Sequence, residues 1–275
     1  MVLVLDFDGT VTDAEVEGRP FRDGYLEDLA VLTGRPADEV RAAAERIEAE
    51  VAGEPGEHGW IYDGKIVAPA IVDPYLRMMP VARRLFDDYG CFADPADRVR
   101  LLDGILYKYN YQKTATAFRP GAAELLARLA GTPSWVVTNS HTEPVQAKIR
   151  SLDPHGGLDW WLGRVRGRAR KYVVDEAFTA VADTLALPGL DRPVHLRRRH
   201  YHEALAALLA EAGASWDQLL VAGDIFELDL ALPLACGARV ALVVNAHTPA
   251  YERAYVESHP RGHLVTALAE IPALL

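Results

Sequence analysis

The chain opens on four apolar residues, Val2-Leu3-Val4-Leu5, and the run stops at two carboxylates, a glycine and a threonine in Asp6-Phe7-Asp8-Gly9-Thr10. A strand with no polar face belongs inside a parallel sheet that is covered on both sides. Parallel neighbours cannot be joined by a tight turn, so the remaining chain must supply long crossover segments. In an extended backbone Asp6 and Asp8 project to the same side. Two ionised carboxylates held close repel, so either one keeps its proton or a cation sits between them. Oxygen ligands of this kind suit Mg2+. Gly9 allows a tight turn, and Thr10 and Thr12 add hydroxyls where the strand ends.

The same pattern returns further on. Ser134-Trp135-Val136-Val137 runs into Thr138-Asn139-Ser140, Leu219-Leu220-Val221-Ala222 runs into Gly223-Asp224, and residues 239–244 supply another strand. Between them lie segments with apolar residues at helical spacing: one opening at Pro120-Gly121 and running through Leu125, Leu126 and Leu129, one over about 201–212, and an Ala/Leu helix ending at Cys236-Gly237. Strands alternating with helices predict a doubly wound parallel α/β core of the Rossmann-like kind, whose ligands bind beyond the carboxyl ends of the strands. Asp6, Asp8, Thr138 and Asp224 all fall at such ends.

Residues 14–115 read differently and predict a separate, mainly helical module, which leaves 1–13 and 116–275 as the core. Apolar positions at helical spacing over about 24–50 are split by Thr33-Gly34-Arg35-Pro36, which predicts two helices. Asp63-Gly64 between β-formers predicts a small hairpin near 60–67. Pro74 and Pro80 are expected to confine one helix to 75–79, with another near 81–89. A helical pattern over about 98–114 spaces Tyr107, Tyr109 and Tyr111 two apart, so at least one should reach a surface.

Asp6-Phe7-Asp8-Gly9-Thr10 resembles the first motif of the haloacid dehalogenase superfamily, Asp-x-Asp-Gly-Thr after an apolar strand. Trp135 to Ser140 is similar to the second, a hydrophobic strand ending in a Thr or Ser that binds phosphate, here Thr138. Gly223-Asp224 with Asp229 is similar to the fourth, Gly-Asp followed by a second acid. The third is a Lys or Arg after the next core strand, and two placements stand. Lys171 lies within the basic stretch 163–175; Arg198, among Arg197, Arg198 and Arg199, follows Val194-His195-Leu196.

The resemblance implies a Mg2+-dependent phosphohydrolase acting on a small phosphorylated metabolite. Asp6 would be the nucleophile that forms an aspartyl phosphate, Asp8 the general acid and base, and Thr138 and Lys171 the rest of the catalytic set. Thr10, Asn139 and Arg198 would touch the phosphate. The metal set would be Asp6, Asp224 and Asp8 through its backbone carbonyl, with Asp229 holding a coordinated water or the neighbouring cation. Glu227 reads as a solvated acid at a helix start. Residues 14–115 stand where family members carry a helical cap. A phosphomutase of the same superfamily and a non-catalytic binding protein that keeps the fold are the alternatives; Asp8 favours phosphate esters over carbon–halogen bonds.

A net charge of −10 disfavours nucleic acid as a main partner, since binding a phosphate backbone needs a basic surface. The apolar runs are too short to span a bilayer, and Met1 leads into the first strand with no room for a secretory signal. Cys91 and Cys236 lack ligand-like spacing and fit a reducing compartment. A cytoplasmic protein with neither nucleic acid nor membrane as partner is the expectation.

Overall fold

The computed structural model describes all 275 residues. Ten strands follow in chain order: β1 Val2–Leu5, β2 Gly59–Tyr62, β3 Lys65–Pro69, β4 Ser134–Val137, β5 Val165–Arg166, β6 Thr184–Leu185, β7 Val194–His195, β8 Leu219–Gly223, β9 Arg239–Val243 and β10 Gly262–Val265. Six of them form one sheet in the order β10-β9-β8-β1-β4-β5, parallel at each pairing. Leu3 stands opposite Ser134 on one side and Leu220 on the other, so β1 is an interior strand. From β1 the chain builds outward through β4 and β5, then crosses back to lay down β8, β9 and β10. This is the doubly wound parallel α/β arrangement that the sequence predicts.

The apolar run of β1 is explained by what covers it. Val2 and Val4 face a core that includes Leu205, Leu209, Val221 and Val240, while Leu3 and Leu5 face a second one with Leu126, Val136, Ile149 and Ala222. Alternate side chains thus enter opposite layers, and neither face can be polar.

The chain divides into two compact units, residues 1–13, 61–68 and 118–275 in the first and 14–60 and 69–117 in the second. The sequence reading puts the hairpin β2–β3 in the inserted module; residues 61–68 cluster with the first unit instead. Arg198 donates to the Val67 carbonyl at 2.9 Å, Lys65 pairs with Glu176 at 2.7 Å, and the Tyr62 and Tyr172 rings meet at 5.3 Å.

The second unit is built on helices Ala14–Thr33, Ala37–Gly53 and Pro74–Asp88, with Pro95–Leu101 continued by a π-helical turn, Leu102–Tyr107. Two helices, not one, were expected between residues 74 and 89. Pro80 sits inside a single helix because Met78, Val81, Ala82, Leu85 and Phe86 are all buried on one side of it. Burying such a face outweighs the roughly 3 kcal/mol that an interior proline costs. Asp73 caps the helix, accepting from Tyr75 N at 2.7 Å and Leu76 N at 3.1 Å. Of the three spaced tyrosines, Tyr107 packs edge-on against Phe21 whereas Tyr109 is 62% exposed. No helix is long and apolar enough to cross a membrane.

Leu220, fully buried beside β1, and Val31, 81% exposed, test this burial pattern. Leu220→Ala should destabilise the protein by about 2–5 kcal/mol and lower its melting temperature, measured by circular dichroism. Val31→Ala should change stability by less than about 0.5 kcal/mol.

Candidate active site

Three carboxylates meet at the carboxyl edge of the sheet. Asp6 follows β1, Asp224 follows β8, and Asp229 lies in the turn beyond it; all three are buried, and one oxygen from each lies within 4.8 Å of the others. Pairing of β1 with β8 brings the first two together: Asp6 N donates to the Ala222 carbonyl at 2.8 Å. Gly9, at φ +87°, then passes so close to Asp224 that a Cβ there would lie 2.2 Å from Oδ2. The motif requires glycine here for both reasons.

Lys171 is the cation among these acids. Its Nζ lies 2.6 Å from Asp6 Oδ1 and 2.8 Å from Asp229 Oδ1, and it is 1% exposed. Burial works against its charge, but Asp229 and Asp6 together outweigh that and push its pKa up. Burial also pushes Asp6 up, to about 7 despite Lys171, with Asp229 adding to the effect. Asp224 is raised well above the carboxylate range by burial and then by Asp6 and Asp229. Thr10 Oγ1 lies 3.2 Å from both Asp6 Oδ2 and Asp224 Oδ1, yet its single hydroxyl proton serves one acceptor at a time. One ammonium, one hydroxyl and the Ile225 N–H, which donates to Asp229 Oδ2 at 3.1 Å, serve three carboxylates and leave the cluster short of positive charge. Hard oxygen donors in that state fit a small divalent cation such as Mg2+, whose octahedral shell spans about 4.2 Å.

Asp8 lies near enough for its charge to help raise Asp6, but its own carboxylate has other partners. The Asp8 carboxylate accepts from Ser140 Oγ at 2.7 Å, Thr138 Oγ1 at 3.3 Å and Lys148 Nζ at 3.0 Å. Side chains two residues apart therefore occupy distinct surroundings, one among acids and one among donors.

The geometry also separates the two placements of the basic residue. Val165–Arg166 pairs in parallel with β4 and is a strand of the main sheet. Beyond it the chain folds back on the end of β4: Arg168 N donates to Ser140 O at 2.8 Å, Ala169 N to Thr138 O at 2.9 Å, and Lys171 N to Asn139 Oδ1 at 2.7 Å. Arg168 and Arg170 adopt positive φ (56° and 48°) in this reversal, a conformation that costs on the order of 1–2 kcal/mol per residue. Val194–His195, by contrast, pairs antiparallel with β6 outside the main sheet. Arg198 is buried, but its guanidinium donates to the backbone carbonyls of Lys171, Val67 and His195, so it braces the Lys171 loop and is not brought to the acids. Asn139 is likewise engaged through Oδ1 with that loop. Arg199 pairs with Asp175, and Arg197 Nη1 donates to the Glu176 carbonyl.

Sequence reasoning missed Lys148, a single lysine on the helix Thr142–Leu152 with no motif to mark it. Glu227 is a correction. It is not solvated but 1% exposed, and Arg192 holds both of its oxygens at 2.8 Å.

No protein-family model and no curated protein matches the sequence. Solved structures do match. A predicted phosphoglycolate phosphatase from Haemophilus somnus superposes with a TM-score of 0.56 at 14% identity, covering 99% of this chain and 96% of its own. The HAD hydrolase YfnB from Bacillus subtilis, solved with magnesium, gives 0.52 at 16% identity over 100% and 97%. A HAD family hydrolase from Deinococcus radiodurans with bound phosphate and sodium gives 0.50 at 16% identity over 99% and 93%. Likeness across nearly the whole of each chain, at so low an identity, is likeness of fold: the protein has the fold of the haloacid dehalogenase-like hydrolases.

Proposed function

We propose that the protein is a Mg2+-dependent phosphohydrolase that releases phosphate from a small phosphorylated metabolite through an aspartyl phosphate on Asp6. The observation that carries this reading is the difference in partners between Asp6 and Asp8. One carboxylate is clasped by Lys171 among acids, and the other is surrounded by the donors Ser140, Thr138 and Lys148. A nucleophile and a proton-transfer group need such different environments. Likeness of fold to proteins solved with magnesium and with phosphate supports the choice of ion and of substrate class.

Asp6 attacks phosphorus, the bond to the ester oxygen breaks, and its electron pair leaves with that oxygen. Asp8 enters this step carrying a proton and gives it to the leaving oxygen, becoming a carboxylate held by Ser140, Thr138 and Lys148. Asp8 then accepts a proton from water as the water attacks phosphorus, which frees phosphate and restores the Asp6 carboxylate. Lys171 holds the nucleophile in one orientation, and the Thr138 hydroxyl, on turning from Asp8, can donate to a phosphoryl oxygen without adding charge. Asp6, Asp224 and the Asp8 carbonyl would hold Mg2+, with Asp229 at hand for a bound water; the ion supplies charge neutralisation between phosphate and carboxylates. Residues 14–60 and 69–117 stand in the chain where such hydrolases carry a cap, and substrate selection is assigned to them.

A panel of phosphorylated metabolites, assayed for phosphate release with and without Mg2+, tests the reading. Asp6→Asn should lower turnover of the best substrate by ~10^4-fold or more, and full activity in that variant would remove Asp6 from its role. A cation that binds only the folded chain stabilises it, so Mg2+ at 100 times its Kd should add about 2.7 kcal/mol and raise the melting temperature by several degrees. Asp224→Asn, which removes a like charge from the cluster, should raise the melting temperature of the metal-free protein and abolish the Mg2+ increment; calorimetry with and without the ion checks both.

A further inference from the structure

The turn that joins Asp224 to Asp229 is held from three directions. Phe226–Leu230 form one π-helical turn, a rare geometry that recurs at functional sites. Tyr201 Oη donates to the Asp229 carbonyl at 2.8 Å, and Phe226 N donates to Glu252 Oε2 at 3.3 Å. The third hold is ionic. Arg192 Nη1 and Nη2 donate to Glu227 Oε2 and Oε1, both at 2.8 Å, and Tyr251 Oη donates to Oε1 at 3.0 Å. The Glu227 side chain is wholly buried and that of Arg192 is 12% exposed.

A bidentate Arg–carboxylate contact fixes orientation as well as distance. Buried ion pairs add little net stability over apolar side chains of similar size, so stability is a weak account of this one. Its position suggests another: Glu227 lies between the two acids in the chain, and its partner reaches in from the segment between β6 and β7. Neither residue belongs to the acid cluster itself.

We infer that Arg192 and Glu227 are a positioning pair, which fixes the turn so that Asp224 and Asp229 stand ready for a divalent cation. This rests on reading the acid cluster as a cation site. The pair acts through the backbone, as outer-shell partners of metal ligands do, and losing such a partner typically lowers metal affinity 10–100-fold.

Isothermal titration of Mg2+ into the full chain tests it, with melting curves recorded in parallel. Arg192→Lys keeps the charge but cannot form the fork, and the double variant Arg192→Met/Glu227→Met removes both charges so that neither is left buried alone. Both variants should fold, melting within a few degrees of wild type. Mg2+ affinity should fall about 10-fold in Arg192→Lys and up to about 100-fold in the double variant. Wild-type Mg2+ affinity in a folded double variant would overturn the inference and leave the cation site intact. Loss of the cooperative melt in both variants would reassign the pair to stability and overturn it too. A wild-type chain that binds no Mg2+ would overturn the inference together with the reading beneath it.

Discussion

Three carboxylates buried at one edge of a sheet, with one ammonium among them, are the constraint to which the rest of the first unit answers. Two like charges about 4 Å apart repel by roughly 4 kcal/mol at an effective dielectric of 20, a large share of the stability of an ordinary domain. A chain keeps such an arrangement only where its backbone leaves no alternative. Here β1 and β8 are adjacent interior strands whose register delivers Asp6 and Asp224 to the same edge, and Gly9 closes the remaining space. The repulsion is thereby stored at a point where a cation or a phosphoryl group can relieve it.

The cations near the site show why lysine and arginine are not exchangeable. Lys171, a point charge on a flexible stem, reaches two acids at once. Arg198 spreads its fork over three backbone carbonyls and holds the loop that bears Lys171. Arg192 uses the same fork on a carboxylate. Each basic residue does what its geometry allows, and only the lysine sits among the acids.

Much of this was legible in the sequence, for identifiable reasons. A strand covered on both faces announces itself as an apolar run, and parallel strands gather their carboxyl ends at one edge, so Asp6, Thr138 and Asp224 could be brought together on paper. The choice between Lys171 and Arg198 could not be made there. Its deciding strand, Val165–Arg166, is two residues long and lies in an arginine-rich stretch that carries no periodicity. Glu227 was misread because an acid at a helix start is ordinarily solvated, whereas its turn is a π-helix that buries all five of its residues. Lys148 left no trace, since a lysine on an amphipathic helix is ordinary. Pro80 misled in the opposite sense, because tertiary packing overrode a sound local rule.

The central place of β1 has a consequence for synthesis. This strand is made more than a hundred residues before one neighbour, β4, and more than two hundred before the other, β8. Until then a wholly apolar segment has no native edge to join, which makes the nascent β1 segment a natural client for chaperones.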